Sequence, residues 1–327
     1  MYKSKLNLIE TEKGIKIVKD YFEKALANEL SLMRVSSPLF VKKDSGLNDN
    51  LNGIERPVSF VPNDFNDELE IVHSLAKWKR YALAKYKIPL NQGIYCDMNA
   101  IRKDESLDNI HSLYVDQWDW EKHINRKERT ISYLTETVNE INKVILKTQR
   151  KIILEYPRLS KVFSRKVTFI TSEDLLKKYP NLTQKERETS FSKAHGTIFI
   201  MQIGGRLSNG IPHDLRAPDY DDWSLNGDLL VYYPTLKEAV EISSMGIRVD
   251  KDSLIKQLSI TNNMDRLSLP FHKALINDEL PLSIGGGIGQ SRLCLILLNK
   301  IHIGEVQASV WSQEETDNAK KEGINLL

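Results

Sequence analysis

A chain of 327 residues with 41% hydrophobic content can bury one large core or two smaller ones, which excludes a disordered protein. Its 46 lysines and arginines almost balance 44 aspartates and glutamates, and the net charge of +2 excludes the strongly basic surface typical of nucleic-acid-binding proteins. Two cysteines that lie far apart in sequence, Cys96 and Cys294, argue against a disulfide framework or a cysteine-built metal site.

The N-terminal residues lead into no apolar signal region, and no apolar run approaches the length of a membrane span. The two isolated cysteines fit a reducing compartment. We therefore expect a soluble, cytoplasmic protein with neither a membrane nor a nucleic acid as its partner.

The first half of the chain is predicted to be rich in helix. Apolar residues recur at spacings of three and four between positions 15 and 30, which indicates an amphipathic helix with Thr11 as its cap. An apolar segment at 32–41 contains Pro38, which belongs at a sheet edge or an interface. Further helices are predicted over 74–86 and over about 128–155, where one apolar stripe marks a core-facing surface.

Between these two helices, residues 95–102 and 111–120 are predicted to form a hairpin with a long polar loop. The period of two places Gln117 and Asp119 on one face of the second strand. Both can hydrogen-bond an amine or amide, and Arg102 at the end of the partner strand can bind a carboxylate or phosphate through two parallel bonds. An ordinary wet sheet edge is the alternative.

Three further strands are predicted over 197–203, 228–233 and 238–243. Their succession with little intervening helix favours an antiparallel sheet and an α+β fold. No Gly/Ser-rich linker or internal repeat divides the sequence, so we expect a single domain over residues 1–327. An irregular, pocket-lining stretch is expected near 204–227.

The glycine-rich segment 283–292 indicates a nucleotide pocket. Glycines such as Gly287 and Gly289 let backbone approach a ligand, and Arg292 can stack on a purine or pair with a phosphate. No Gly-Lys-Ser/Thr follows, which excludes a P-loop, and too little chain remains for a dinucleotide-binding fold. The segment is therefore predicted to be a loop that completes a sheet made by earlier strands; a glycine-rich turn before a packed helix is the alternative.

Acidic residues concentrate between positions 214 and 241. Asp228 and Glu241 lie on predicted strands, and hard cations such as Mg²⁺ prefer carboxylate oxygens, with phosphate and water completing the shell. Arg216 and Arg248 lie among these acids and could neutralise a triphosphate, or merely pair with the acids. The run 219–222 could equally be a solvated turn.

The order of an interface segment with Pro38, an arginine hairpin at 101–105 and a final Gly-x-Gly-x-Gly-x-x-Arg at 285–292 resembles the three signatures of the class II aminoacyl-tRNA synthetase catalytic fold. More specific sequences at 72–80, 114–121, 217–223 and 243–248 resemble the ammonia-dependent asparagine synthetases, or aspartate–ammonia ligases. The resemblance extends over about residues 40–310. One departure is that Asp228 and Glu241 are separated by a turn, whereas the metal-site acids of the class usually share one strand.

The resemblance implies that the aspartate side chain attacks the α-phosphate of ATP to give a β-aspartyl adenylate, which free ammonia opens to asparagine and AMP. It implies that Asp49, Arg102 and Gln117 are catalytic. It implies that L-aspartate is held by Ser74, Lys79, Arg102, Gln117, Asp119, Ser244 and Arg248. It implies that ATP is held by Arg102, Arg216, Asp221, Asp228, Glu241, Gly287, Gly289 and Arg292, with Mg²⁺ on Asp228 and Glu241.

Two of these roles carry further expectations. Ammonium is the dominant form at neutral pH and is not a nucleophile, so Asp49 is expected to bind it and take its proton; an Asx-type turn is the alternative. Strict alternation would place Glu241 and Ser244 on opposite faces, so a bulge or turn is expected near Gly246.

Two other functions stay open at this point. An aspartyl- or asparaginyl-tRNA synthetase shares the adenylation step, although the chain offers neither the length nor the basic character for an anticodon-binding barrel. A non-catalytic nucleotide-binding paralogue is the second. The segment around Pro38 resembles the class II dimer signature, so a homodimer is expected.

Overall fold

The computed structural model describes residues 2–49, 51 and 55–327. The helices are α1 (Leu8–Leu30), α2 (Ala76–Lys85), α3 (Ile131–Glu155), α4 (Ser172–Lys178), α5 (Gln184–His195), α6 (Lys251–Ile260), α7 (Pro270–Ile276), α8 (Gln290–Leu297) and α9 (Gln313–Glu322). The strands are β1 (Leu32–Arg34), β2 (Phe40–Lys42), β3 (Ser59–Phe60), β4 (Leu69–Ile71), β5 (Gly93–Ile101), β6 (Tyr114–His123), β7 (Val167–Thr171), β8 (Thr197–Met201), β9 (Asp221–Tyr233), β10 (Glu238–Arg248) and β11 (Ser283–Gly289).

Eight strands form one sheet in the order β1-β5-β6-β11-β10-β9-β8-β7. Pairing is antiparallel from β5 through β8 and parallel at the two edges, where β1 joins β5 and β7 joins β8. A small second sheet has the order β2-β4-β3. The predicted α+β fold with an antiparallel sheet and flanking helices is confirmed.

The helix α1 begins one turn earlier than the sequence interpretation placed it. Its N-cap is Asn7, whose side chain accepts the N–H of Glu10 while the Glu10 carboxylate accepts the N–H of Asn7. The prediction of Thr11 as the cap was wrong: its hydroxyl donates back to the Asn7 carbonyl from inside the first turn. The reciprocal capping pair satisfies two orphan N–H groups, which a threonine alone at position 11 does not.

The core lies between the sheet and the long helices α1 and α3, which pack against each other. Phe22 of α1 contacts Trp118 of β6 with ring centroids 4.7 Å apart. The predicted apolar stripe of α3 is buried at Leu134, Ile141 and Ile152, which confirms it as core.

One segment prediction needs correction. Residues 221–227 belong to strand β9, although an irregular stretch was expected there, and the register between β9 and β10 shifts between Gly246 and Arg248. Pro38 lies in the segment between β1 and β2. Among the described residues, no helix has both the length and the apolarity needed to cross a lipid bilayer.

The glycine-rich segment is a strand, not a loop. As β11 it lies in the middle of the sheet between β6 and β10, so the expectation that it completes an existing sheet is confirmed while its conformation is corrected. Ile284 and Ile288 point into the core. The alternating glycines at 285, 287 and 289 therefore lie on the opposite face of the sheet.

Candidate active site

A cavity of about 420 Å³ opens over that glycine-bearing face. It is lined by most of the residues predicted from the sequence: Asp49, Ser74, Lys79, Arg102, Gln117, Asp119, Arg216, Asp221, Glu241, Ser244, Arg248, Gly287, Gly289 and Arg292. Asp228 is not part of the lining and lies buried behind Arg216. The tertiary structure thus gathers segments from positions 49 to 292 around one space.

A cross-strand row organises the cavity floor. Asp119 of β6 pairs with Gly287 of β11, Gly287 with Ser244 of β10, and Ser244 with Asp228 of β9. Directly opposed residues share a face of the sheet, so the row leads from Asp119 and Gly287 on the cavity floor through Ser244 to Asp228, which is buried outside the lining.

The Asp119 end suits an amino acid. The Lys79 ammonium lies 2.9 Å from Asp119 Oδ2 and donates to the Gly286 carbonyl at 2.8 Å, with both side chains at most 2% exposed. Asp119 Oδ1 is buried without a hydrogen-bond partner in the described structure. Gln117 lies one step along the same face, as the period of two predicted, so a carboxylate and a carboxamide face the cavity side by side.

Arg248 is fixed by a buried ion cluster. Its Nε and Nη2 donate to the Glu121 carboxylate at 2.7–3.1 Å, and its Nη1 donates to Asp221. Ser283 Oγ also donates to Glu121 at 2.7 Å. Burial raises the pKa of Glu121, but the charge and hydrogen bonds of Arg248 outweigh burial and hold that pKa below its ordinary value.

The cluster explains three residues. Asp221 accepts a hydrogen bond from Arg248, so its observed role is to hold that arginine. A direct contact of Asp221 with ATP stays a prediction. Glu121 was missed, although the same period of two that selected Gln117 and Asp119 also selects it. At Gly285, an added Cβ would lie 2.6 Å from Arg248 Nη2 and would collide with the Glu121 carboxylate. Glycine is needed there to make room for the cluster.

Four further arginines line the cavity, and one of them, Arg56, donates to Asp104 at 2.7 Å. Arg102 is about a quarter exposed, and its Nε is buried without a partner in the described structure; the nearest carboxylate oxygen, on Glu105, is 3.9 Å from Nη1. Arg292 donates to the Glu241 carbonyl at 3.1 Å. Arg216 is held by Asp214 at 2.8 Å and by Asp228. Arg102 therefore keeps the most donor capacity for an incoming anion.

Asp228 of β9 and Glu241 of β10 are close enough for their charges to interact, although Asp228 opposes Ser244 and Glu241 opposes Leu230 in the strand register. A bulge between Glu241 and Ser243 brings Glu241 and Ser244 to the same face, which confirms the expected irregularity; a second register shift lies at Gly246. Burial and the charge of Glu241 raise the pKa of Asp228 to about 8 despite the opposing charge of Arg216. Asp228 Oδ1 is also buried without a partner in the described residues.

This pair fits a magnesium ion in its donor chemistry. No group of three or more potential metal ligands occurs in the part of the chain that the structure describes. Mg²⁺ commonly uses one or two carboxylates and completes its octahedron with phosphate and water. An unpartnered oxygen on Asp228 and the charge repulsion between Asp228 and Glu241, beside a cavity that Arg216 lines, meet that requirement.

Asp49 is buried at the cavity wall. Its Oδ2 accepts from Ser74 Oγ at 2.8 Å and its Oδ1 accepts from the Leu51 N–H at 2.8 Å. The local turn that was the alternative for Asp49 is therefore present, and it also presents the carboxylate to the cavity. Neighbouring residues 50 and 52–54 lie outside the described residues.

Sequence reasoning missed two more lining residues. Tyr220 places its ring 5.8 Å from the guanidinium carbon of Arg248, where it supports the cluster as a cation–π partner. His73 precedes Ser74 and lies 1% exposed beside Asp49. In both cases the available signal was adjacency in the sequence to a predicted site residue: His73 precedes Ser74, and Tyr220 precedes Asp221.

Comparisons with known proteins agree on one family. A sequence model described as "Aspartate-ammonia ligase" matches residues 9–323. A relative from Clostridium perfringens named aspartate–ammonia ligase is 56% identical over 330 residues, covering 100% of this chain and 97% of the relative. A protein of the same name from Fusobacterium nucleatum is 57% identical, covering 100% and 99%.

Solved structures show the fold. Asparaginyl-tRNA synthetase of Entamoeba histolytica, in complex with asparaginyl-adenylate, is similar with a TM-score of 0.65 at 18% identity, covering 92% of this chain; the chain spans just under two thirds, 66%, of that protein. The asparaginyl-tRNA synthetase of Pyrococcus horikoshii, also complexed with asparaginyl-adenylate, is similar with a TM-score of 0.64 at 15% identity. The match covers 92% of this chain and 70% of that protein. The catalytic fold of class II synthetases is therefore the fold of this chain.

Proposed function

The chain belongs to the aspartate–ammonia ligase family, and from that membership we propose that it makes L-asparagine from L-aspartate, free ammonia and ATP through a β-aspartyl adenylate. AMP and pyrophosphate are the other products. The observation that carries the proposal is that Asp119, with its buried and unpartnered Oδ1, lines one cavity with Arg102, Arg292 and Asp49.

Aspartate would bind at the Asp119 end. The unpartnered Asp119 Oδ1 can accept a hydrogen bond from the α-ammonium group, beside Gln117. Arg248 and Lys79 supply positive charge for the α-carboxylate, with Ser74 and Ser244 at the wall of the cavity. Because Glu121 and Asp221 fix Arg248, the guanidinium pays little entropy when it binds a carboxylate.

ATP would bind at the arginine-rich end. Two anions must meet for the adenylate to form, so catalysis depends on cations that stabilise the charge developing on the α-phosphate. Arg102 would bridge the aspartate side chain and the α-phosphate, Arg292 would hold the adenine, and Arg216 would grip the phosphate tail in competition with Asp214 and Asp228. Gly287 and Gly289 leave room over the sheet.

Asp228 and Glu241 would hold Mg²⁺. The ion would supply charge neutralisation for the phosphates. The unpartnered Oδ1 of Asp228 and the repulsion between the two acids support this assignment.

Asp49 would bind the nitrogen substrate as ammonium. Its two oxygens accept from Ser74 and from the Leu51 N–H, and a carboxylate has further lone pairs for ammonium protons. A cysteine nucleophile for releasing ammonia from glutamine does not fit: burial raises the pKa of both Cys96 and Cys294 to about 12, which keeps these thiols protonated.

The domain organisation, cellular location and oligomeric state of the enzyme are inferred as well. We infer one catalytic domain over residues 1–327, since the main sheet takes strands from β1 to β11 along the sequence. Two buried free cysteines support a cytoplasmic protein. The exposed apolar side chains Met33, Leu39 and Phe40, near Pro38, support a homodimer, which light scattering would test against the mass of one chain.

Three assays test the function. Labelled pyrophosphate should exchange into ATP only when aspartate is present, and its absence would favour a non-catalytic nucleotide-binding protein. Asparagine should form with ammonium and not with glutamine; equal rates with both would refute the nitrogen source. Binding of tRNA in a filter assay would instead favour the tRNA synthetase alternative.

A further inference from the structure

His73 lies between β4 and α2, in the wall of the cavity next to Asp49. Its backbone N–H donates to Asn48 Oδ1 at 3.0 Å, and its side chain is 1% exposed. The function proposed above gives it no role. A buried imidazole in the wall of a catalytic cavity is a group that can accept or donate a proton there.

The hydrogen bonds of His73 define its tautomer. Nδ1 lies 3.2 Å from the backbone carbonyl oxygen of Asp49. A carbonyl oxygen can only accept, so Nδ1 carries the proton of the neutral ring. Nε2 is then an acceptor, and it is buried without a hydrogen-bond partner in the described part of the chain.

Burial and the charged neighbours of His73 together keep Nε2 unprotonated, so that it can accept a hydrogen bond. Burial lowers the pKa of His73, and the charge of Arg102 lowers it further, against the opposing charges of Asp49 and Glu55. The ring is therefore neutral at pH 7. A buried acceptor without a partner is unfavourable, and a donor from a ligand would remove that cost.

We infer that His73 is a catalytic residue of the second half-reaction, in which its Nε2 accepts a proton from the ammonium bound at Asp49; this inference rests on the proposed function. Asp49 and His73 then divide the work. The Asp49 carboxylate attracts and orients the ammonium ion. The His73 imidazole is neutral, so it does not hold the ion by charge, and it removes the proton.

The step balances as follows. One N–H bond of ammonium breaks, its proton goes to His73 Nε2, and the nitrogen keeps the electron pair. That pair forms a bond to the β-carbonyl carbon of the adenylate, and the bond from this carbon to the phosphate oxygen breaks with its electrons on AMP. The new C–N nitrogen loses a second proton to the Asp49 carboxylate, which leaves the neutral amide.

His73→Asn tests the inference. Asparagine can still donate its amide N–H to the Asp49 carbonyl, as Nδ1 does, but it lacks a basic Nε2. Three rates are measured: aspartate-dependent pyrophosphate exchange, asparagine formation from ammonium, and aspartyl hydroxamate formation from hydroxylamine. Hydroxylamine is largely unprotonated at pH 7, so it needs no base before it attacks.

We expect His73→Asn to slow the reaction with ammonium and to spare the reaction with hydroxylamine. Exchange and hydroxamate formation should stay within about threefold of wild type, while asparagine formation falls on the order of 10²–10⁴-fold, the usual contribution of a general base. His195→Asn, at the exposed end of α5, is the matched control and should leave all three rates unchanged.

Other outcomes overturn the inference. Equal losses with ammonium and hydroxylamine would make His73 a positioning residue, and unchanged asparagine formation would remove it from the reaction. If His73→Asn fails to fold by circular dichroism, His73→Gln is put through the same three assays, and loss of exchange in a folded variant also counts against the inference. A wild-type protein that forms no asparagine would instead refute the proposed function.

Discussion

Alanine at position 287 would place a methyl group on the cavity floor, against two side chains of β6. The added Cβ would lie 2.8 Å from Asp119 Oδ1 and would overlap the Gln117 carboxamide oxygen. Both contacts are to the ends of side chains, which can move, so the strand itself need not shift. We expect Gly287→Ala to fold while displacing Gln117 and Asp119 by roughly 1 Å, a misplacement that can lower an enzymatic rate on the order of 10²-fold.

Gly286→Ala provides the contrast. There the Cβ would lie 2.6 Å from Met245 Cβ and 2.7 Å from the Ser244 carbonyl oxygen, which cannot move without the neighbouring strand. This variant should lose stability by about 1–3 kcal/mol, as overpacked cores do. Thermal melts and the kcat/KM for aspartate separate the two variants.

Gly287→Ala should melt within a few degrees of wild type and show a kcat/KM for aspartate lowered about 10²-fold. If its kcat/KM for aspartate is instead unchanged, Gln117 and Asp119 do not bind the amino acid in the arrangement described. If Gly287→Ala melts as low as Gly286→Ala, the displacement is not confined to side chains.

Three further outcomes are expected. Arg102→Ala should slow pyrophosphate exchange by about 10²–10³-fold, comparable to the loss of an oxyanion donor, and a rate within tenfold of wild type would count against its position at the α-phosphate. Asp49→Asn should keep exchange and lose asparagine formation; loss of both would reassign Asp49 to substrate binding. Burial raises the pKa of Asp219, but Lys77 and His272, with a neighbouring arginine, more than offset this and hold it below its ordinary value. Its contribution to stability is complete above the ordinary aspartate pKa and is lost as the pH falls below it, so the melting-temperature gap between wild type and Asp219→Asn should be wide at pH 7 and narrow in acid; a constant gap would contradict this.

Local patterns in the sequence were sufficient for much of the fold. The spacing of apolar residues gave α1 and α3, because a helix buries one stripe at a period of 3.6 residues. The period of two in β6 separated Gln117 and Asp119 from Trp118, and the structure places these two sets on opposite faces of the sheet. The family resemblance is confirmed by the comparisons.

Predictions from the sequence failed where the structure is decided by one specific hydrogen bond or by contacts between segments that are distant along the chain. Thr11 and Asn7 are both acceptable caps by residue type, and the reciprocal hydrogen bond with Glu10 decides for Asn7. The glycine-rich segment has the composition of a loop. Its conformation as a central strand depends on β6 and β10, whose side chains occupy the space that a Cβ would take.

The sequence by itself determined the helices α1, α2 and α3, the two-faced hairpin and the family, since these depend on periodicity and on residues close together along the chain. Only the tertiary structure decided that Glu121 holds Arg248, that a bulge aligns Glu241 with Ser244, and that His73 packs beside Asp49 with a buried, unpartnered Nε2 in the described structure. These features depend on strand register and on the burial of charge between distant segments. A buried ion needs partners in three dimensions, and its sequence neighbours do not specify them.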